Sequence, residues 1–199
     1  MIDFIEPSTE KPYQIFFEAY NEALKSNQPA IEAIALSSFD KKLNQVDSRF
    51  VNLKYIVKDE WIFFSNYNSN KSKSFEMHPQ IGALFYWKAT NTQIRIKANI
   101  SKTSNDFSDK HFNSRSKEKN ALAISSDQSK PIESYDQVKA KYYEILNNKD
   151  KLQTRPSFWG GYSFRPFSFE FWIGDEFRLN KRTVYEKKDG EWIKNFLQP

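Results

Sequence analysis

A chain of 199 residues can build one domain with a substantial core and is too short for two large ones. Aromatic residues make up 17% of it, 18 of them Phe, which offsets a mean hydropathy of −0.76. The net charge of +5 is interspersed with acids rather than gathered into a run, which argues against a nucleic-acid partner, and the absence of Cys excludes disulfides, Cys-bound zinc and thiol catalysis.

In chain order the pattern reads α+β. Residues 12–26 place Ile15, Phe16, Ala19, Tyr20, Ala23 and Leu24 on one helical face, and Asn27-Gln28-Pro29 stops that helix. Residues 30–39 form an apolar, β-compatible run. Residues 48–57 alternate, with Arg49, Val51, Leu53 and Tyr55 opposite Phe50, Asn52, Lys54 and Ile56. A turn at Lys58-Asp59-Glu60 leads into a strand at 61–65, giving a hairpin. Ser69 caps a short helix that ends at His78-Pro79. Strands follow at 81–87 and 93–100, the second with Ile94, Ile96, Ala98 and Ile100 inward. Residues 104–125 read as one or two helices, and Ser134-Tyr135-Asp136-Gln137 opens another that runs to about 148. After a polar connector at 149–157, residues 162–172 alternate with Phe167, Phe169 and Phe171 on one face. Strands at 178–186 and 191–197 close the chain. Six to eight antiparallel strands with peripheral helices predict a barrel or sandwich.

The segment Met1–Pro7 is acidic and has no apolar stretch of signal-peptide type, and no apolar run approaches the roughly 18 residues of a membrane span. No membrane partner and a cytoplasmic location are therefore expected. Phosphate-loop, dinucleotide-fingerprint, zinc-protease and nucleophile-elbow motifs are all absent. With only His78 and His111, no metal site is expected.

The most informative segment runs from Arg155-Pro156-Ser157-Phe158-Trp159-Gly160-Gly161-Tyr162 through Phe169-Glu170-Phe171-Trp172-Ile173-Gly174 to Phe177-Arg178-Leu179-Asn180-Lys181-Arg182. Aromatic rings followed by a basic cluster suit a flat cofactor beside an anionic group. Elsewhere, cations and amides are scattered over strand faces. Arg49 and Lys54, five apart, would point to opposite faces of a continuous strand unless a bulge intervenes.

These segments resemble the pyridoxamine 5′-phosphate oxidase family. That family's P-x-x-W-G-G-[YF] and E-F-W-x-G appear at 156–162 and 170–174. Its R-x-x-x-L-K appears as Arg49-Phe50-Val51-Asn52-Leu53-Lys54, and its [YF]-[TS]-N turn as Phe64-Ser65-Asn66. Its S-R-K appears as Ser69-Asn70-Lys71, and its R-Q-[VI]-R as Thr92-Gln93-Ile94-Arg95. Its Y-F-x-S-R appears as His111-Phe112-Asn113-Ser114-Arg115, and its S-x-Q-S as Ser126-Asp127-Gln128-Ser129. Each is weak alone, but their shared order is specific.

The resemblance implies a single FMN-binding split β-barrel domain with peripheral helices over residues 1–199. It implies a homodimer with one FMN in each of two clefts at the subunit interface. The FMN phosphate, a dianion, would be held by Arg49, Lys71 and Ser129, with Val51 and Lys54 nearby and Asn70 standing where the family has Arg. Phe64 and Ser65 would line the cofactor. Gln93 and Gln128 would meet the flavin's pyrimidine edge with both donors and acceptors. Trp172 and Arg182 would complete the cleft from the other subunit.

On the substrate side the resemblance implies that Lys54, His111, Arg115 and Lys119 hold a phosphate. Two of these, His111 and Lys119, replace the family's Tyr and Ser. Arg178 would lie over the reacting carbon. Asn180 stands where the family has His, and it cannot carry a proton near neutral pH. Lys181 replaces the family's Asp. The chain also starts too late for the basic segment that covers the family's site. The implied reaction is hydride transfer from pyridoxamine or pyridoxine 5′-phosphate to FMN, with dioxygen as the final acceptor and pyridoxal 5′-phosphate and peroxide as products. Two alternatives stay open. One is a flavin oxidoreductase with another substrate, like the phenazine-pathway relatives. The other is a non-catalytic FMN or pyridoxal-phosphate binder.

Overall fold

The computed structural model describes residues 1–199. The chain forms ten strands in one mixed, mainly antiparallel sheet, with five α-helices around it. β1 (Asp3–Ile5) precedes α1 (Lys11–Lys25), then β2 (Ala33–Asp40), β3 (Gln45–Asn52), β4 (Tyr55–Val57) and β5 (Glu60–Asn66). Next come α2 (Asn70–Met77), β6 (Gln80–Trp87), β7 (Thr92–Lys102), α3 (Asn105–Ser114), α4 (Lys117–Ser125) and α5 (Tyr135–Leu146). β8 (Trp159–Ile173), β9 (Lys181–Lys188) and β10 (Glu191–Leu197) complete the chain.

β8 is the spine. One edge pairs with β7 along residues 162–173. Its other edge is shared, residues 159–164 pairing with β5 and residues 168–173 with β9. The sheet therefore forks, and its main path runs from β1 at one edge to β3 at the other without closing. This is the split-barrel architecture that the sequence motifs imply.

Several expectations need correction. β1 was not anticipated: three residues are too few to show a period, and the strand exists because it pairs in parallel with β4. The predicted strand at 48–57 is two strands. At the break Leu53 N–H donates to the Glu32 carbonyl and Lys54 N–H to the Ile62 carbonyl, so the chain leaves β2 and joins β5. The side-chain alternation resets there, and both Leu53 and Ile56 are fully buried. Phe167 does not share a face with Phe169 and Phe171. The β7–β8 register shifts between Lys97 and Ala98, and Phe167 is the residue passed over. The shift lets Phe164 and Phe169, at opposite parity, both point into the core. Residues 178–180 lie in a loop ahead of β9 rather than in a strand.

α1 buries Tyr13, Phe16, Tyr20 and Ala23 over the sheet, while Leu24 stays exposed. Phe16 packs 4.4 Å from Trp61, which is also ringed by Tyr13, Phe85, Phe164 and Phe169. Burying each of these large side chains stabilises the fold by about 2–3 kcal/mol. A smaller cluster of Phe112, Ala123 and Trp159 anchors α3 and α4 to the start of β8.

Candidate cofactor and substrate cleft

The Gly160-Gly161 pair sets the position of α3. A Cβ on Gly160 would sit 2.2 Å from Tyr67 Oη, and one on Gly161 would sit 2.5 Å from Thr103 Oγ1. Without those atoms, Ser108 of α3 reaches the strand and its Oγ accepts from Gly161 N–H at 3.1 Å. Arg155 ties down the other side, donating to Asp109 at 2.6 Å and to Asn105 at 3.2 Å. Held this way, α3 delivers His111 and Arg115 over β5.

They border a cleft of about 550 Å³ between β3, β5, α2, α3 and α4. Ten of the residues singled out from sequence line it: Arg49, Val51, Lys54, Phe64, Ser65, Lys71, His111, Arg115, Lys119 and Gln128. Arg49 and Lys54 face the same cleft despite their spacing, because the β3–β4 break reverses the alternation between them.

Two cationic groups stand in the cleft. In the first, Lys71 is buried and donates to Ser65 Oγ and Ser69 Oγ, both at 2.9 Å. Neither partner is an anion. Burial, with Arg49 nearby, pulls its ammonium down to about 8 against the opposing effect of Asp47. Arg49 donates to Ser38 Oγ at 2.8 Å and pairs with Asp47. The buried ammonium without a carboxylate of its own fits an incoming phosphate.

In the second, Arg115 lies 4.3 Å from the Trp159 ring centroid and donates to the Lys119 carbonyl at 2.9 Å. Its Nη1 is buried without a protein partner, and burial lowers its guanidinium to about 10. His111 stacks on Phe64 with centroids 3.6 Å apart, and its Nδ1 lies 2.8 Å from Tyr55 Oη. Burial, then the charges of Arg115, Lys54 and Lys119, depress the imidazole to about 4, so it is neutral at pH 7. An uncharged imidazole can still hold an anion, as the sequence leads one to expect of His111, but through a hydrogen bond and not through charge.

Other expected residues lie elsewhere in the protomer. Asn70 is exposed at the start of α2, and Ser129, at φ +72°, borders a neighbouring hollow after α4. Gln93, Trp172 and Arg182 are direct neighbours across β7, β8 and β9. Arg182 Nη2 is 2.7 Å from Glu170 Oε1, and Arg95 is 3.0 Å from the other carboxylate oxygen. Arg178, at φ +65°, is exposed in the 174–180 loop, and Asn180 Oδ1 accepts from Asp175 N–H at 3.1 Å. Sequence reasoning missed Tyr55 and did not place Trp159 in the site. Trp159 stood in the most informative segment, while Tyr55 gave no signal beyond its place next to Lys54.

Comparison with known proteins gives the family and the fold. A family profile described as the pyridoxine 5′-phosphate oxidase C-terminal dimerisation region matches residues 159–199. The pyridoxine/pyridoxamine 5′-phosphate oxidase 1 of Hydrogenovibrio crunogenus is 34% identical over 191 residues, spanning 94% of this chain and 88% of that protein. The chain belongs to the pyridoxine/pyridoxamine 5′-phosphate oxidase family. A further family member, from Leptospira interrogans, is 31% identical over 98% of this chain and 92% of its own length. Among solved structures, PhzG of Burkholderia lata, in complex with tetrahydrophenazine-1-carboxylic acid, superposes with a TM-score of 0.88. It has 25% identity and covers 98% of this chain and 95% of its own. A pyridoxamine 5′-phosphate oxidase-related, FMN-binding protein from Nostoc punctiforme shares the fold at a TM-score of 0.78 and 12% identity. Family membership makes the chain an oxidoreductase. No helix is long and apolar enough to cross a membrane.

Proposed function

We propose that this protein is an FMN-dependent oxidase that converts pyridoxine or pyridoxamine 5′-phosphate to pyridoxal 5′-phosphate, with dioxygen as acceptor. The observation that carries this reading is the pairing of two cationic groups in one aromatic-lined cleft. One, built on Lys71 and Arg49, suits the cofactor phosphate. The other, built on Lys54, Arg115 and Lys119 with His111, suits a substrate phosphate. Ser65 and Gln128 supply hydroxyl and amide groups for the cofactor's polar edge, and Val51 and Phe64 supply packing. When bound, FMN provides a two-electron acceptor that dioxygen can reoxidise. The protein's part is to hold both molecules, keep the cations aimed at their phosphates and exclude water.

The working site is formed by two copies of the chain. Trp172, Arg178, Asn180 and Arg182 lie outside the cleft of their own protomer, and the dimerisation-region match at 159–199 supports a homodimer in which they reach the partner's cleft; Gln93 pairs with Trp172 and would accompany it. Arg178 would then orient the substrate. Asn180, whose carbonyl oxygen is engaged by its own loop, would serve as a fixed hydrogen-bonding group without proton transfer.

A second reading has specific support. The PhzG structure matches over nearly the whole chain, and the neutral His111 and Asn180 suit a reduced ring acid as well as a phosphate ester. One experiment separates the two: anaerobic titration of the flavin-loaded protein with pyridoxine 5′-phosphate and, separately, with a reduced phenazine carboxylate. Bleaching of the flavin absorption by the first supports the B6 reaction. Bleaching by the second alone transfers the assignment, and bleaching by neither overturns both oxidase readings.

A further inference from the structure

Tyr55 is not part of the cleft lining, and its hydroxyl meets His111, a cleft residue whose role depends on which ring nitrogen carries the proton. The Tyr55 and His111 rings are perpendicular, with centroids 5.4 Å apart, and Oη lies 2.8 Å from Nδ1. One face of the imidazole is covered by Phe64. With Nδ1 engaged, Nε2 is the remaining nitrogen, and no protein group bonds to it.

The neutral imidazole carries a single N–H. With that proton on Nε2, the ring donates to an anion in the cleft. With it on Nδ1, the Nε2 lone pair faces the anion and repels it. The other groups around the pair do not provide the choice. Lys54 precedes β4, Arg115 and Lys119 flank the start of α4, and Phe64 and Trp159 face it from β5 and β8; none accepts a proton from Nε2. The Ser114 hydroxyl also neighbours Tyr55 Oη, but its own proton goes to the His111 carbonyl at 2.8 Å, which leaves its oxygen as a second neighbour of the phenol and not a partner of the ring. Burial, together with the charge of Asp3, raises the Tyr55 phenol, so it keeps its proton and can donate.

We propose that Tyr55 is a positioning residue: its hydroxyl donates to His111 Nδ1, holding the ring as the Nε2–H tautomer, an uncharged donor aimed at the anionic group of the substrate. This rests on the substrate assignment above only in placing that anion beside Lys54 and Arg115. An uncharged donor adds a directional bond among three cations without adding a fourth charge that would repel them.

The chain's two histidines, His78 and His111, make the test direct. Nitrogen NMR of 15N-histidine-labelled, flavin-loaded protein, with His111→Gln to assign the signals, reads the tautomer without any substrate. The wild type is expected to show His111 protonated on Nε2, and Tyr55→Phe to show a mixture of tautomers. In parallel, Tyr55→Phe should weaken binding of pyridoxal 5′-phosphate about 5–10-fold, the loss of one neutral hydrogen bond. Binding of unphosphorylated pyridoxal should be unchanged. Adding Tyr55→Phe to His111→Phe should cost nothing further. A wild-type Nδ1–H tautomer, equal losses for the two ligands, or additive losses would each overturn the proposal. If the substrate assignment is wrong, pyridoxal 5′-phosphate will fail to bind while the tautomer remains as described, and inorganic phosphate then serves as the anion whose affinity must depend on Tyr55.

Discussion

Replacing Lys71 with Met separates what this residue does for the fold from what it does for a bound phosphate. Its ammonium is buried against two serine hydroxyls and drawn from 10.5 down to about 8, first by burial and then by Arg49. At about 1.4 kcal/mol per pH unit, that shift corresponds to a cost of at most ~3.5 kcal/mol, and ~1–2 kcal/mol once solvent reaching the cleft is allowed for. Below pH 8 both folded and unfolded chains carry the charge, and the fold bears the whole penalty. Between about 8 and 10.5 the unfolded chain holds more protons, so stability rises with pH. Lys71→Met should therefore leave the flavin-free protein at least as stable at pH 7 and remove the gain between pH 8 and 10, measured by denaturant unfolding. The same variant should weaken FMN binding at pH 7 about 10–100-fold, the loss of a charge-assisted hydrogen bond, measured by quenching of flavin fluorescence. Destabilisation beyond about 2 kcal/mol with FMN affinity unchanged would refute the reasoning and make Lys71 a strut between Ser65 and Ser69.

Three further outcomes are expected. His111 titrates near 4 in the fold and near 6.5 unfolded, so it contributes stability that is lost as pH falls through that window; His111→Phe should flatten the acid limb of the stability curve between pH 6.5 and 4. Gly160→Ala should destabilise by about 1–3 kcal/mol in thermal unfolding, because the new methyl meets the Tyr67 hydroxyl, which is itself bonded to the Gly161 carbonyl. Arg178→Ala should lower kcat/KM for pyridoxine 5′-phosphate about 100-fold in a peroxide-release assay, with FMN affinity unchanged.

Much of this molecule was legible in its sequence because the relevant physics is local. The period of α1, the alternation of β7 and the Ser134 cap of α5 depend on neighbours within a few positions, and each appears where those neighbours predict it; at α2, Ser69 stands at the N-cap but its hydroxyl donates to the Asn66 carbonyl instead of capping the helix. The ordered motifs from Arg49 to Arg182 carried the family and the split-barrel fold. Tertiary structure decided what depends on distant pairing. The turn of the chain from β2 to β5 at Leu53-Lys54 puts Arg49 and Lys54 in one cleft, and the register shift at Phe167 turns both Phe164 and Phe169 inward. Neither event leaves a mark on local composition, because each is set by which strand lies alongside. The same holds for His111. Its place in a motif was visible, but its neutral state comes from the burial and the three cations that the fold gathers around it, and its tyrosine partner is 56 residues away in sequence.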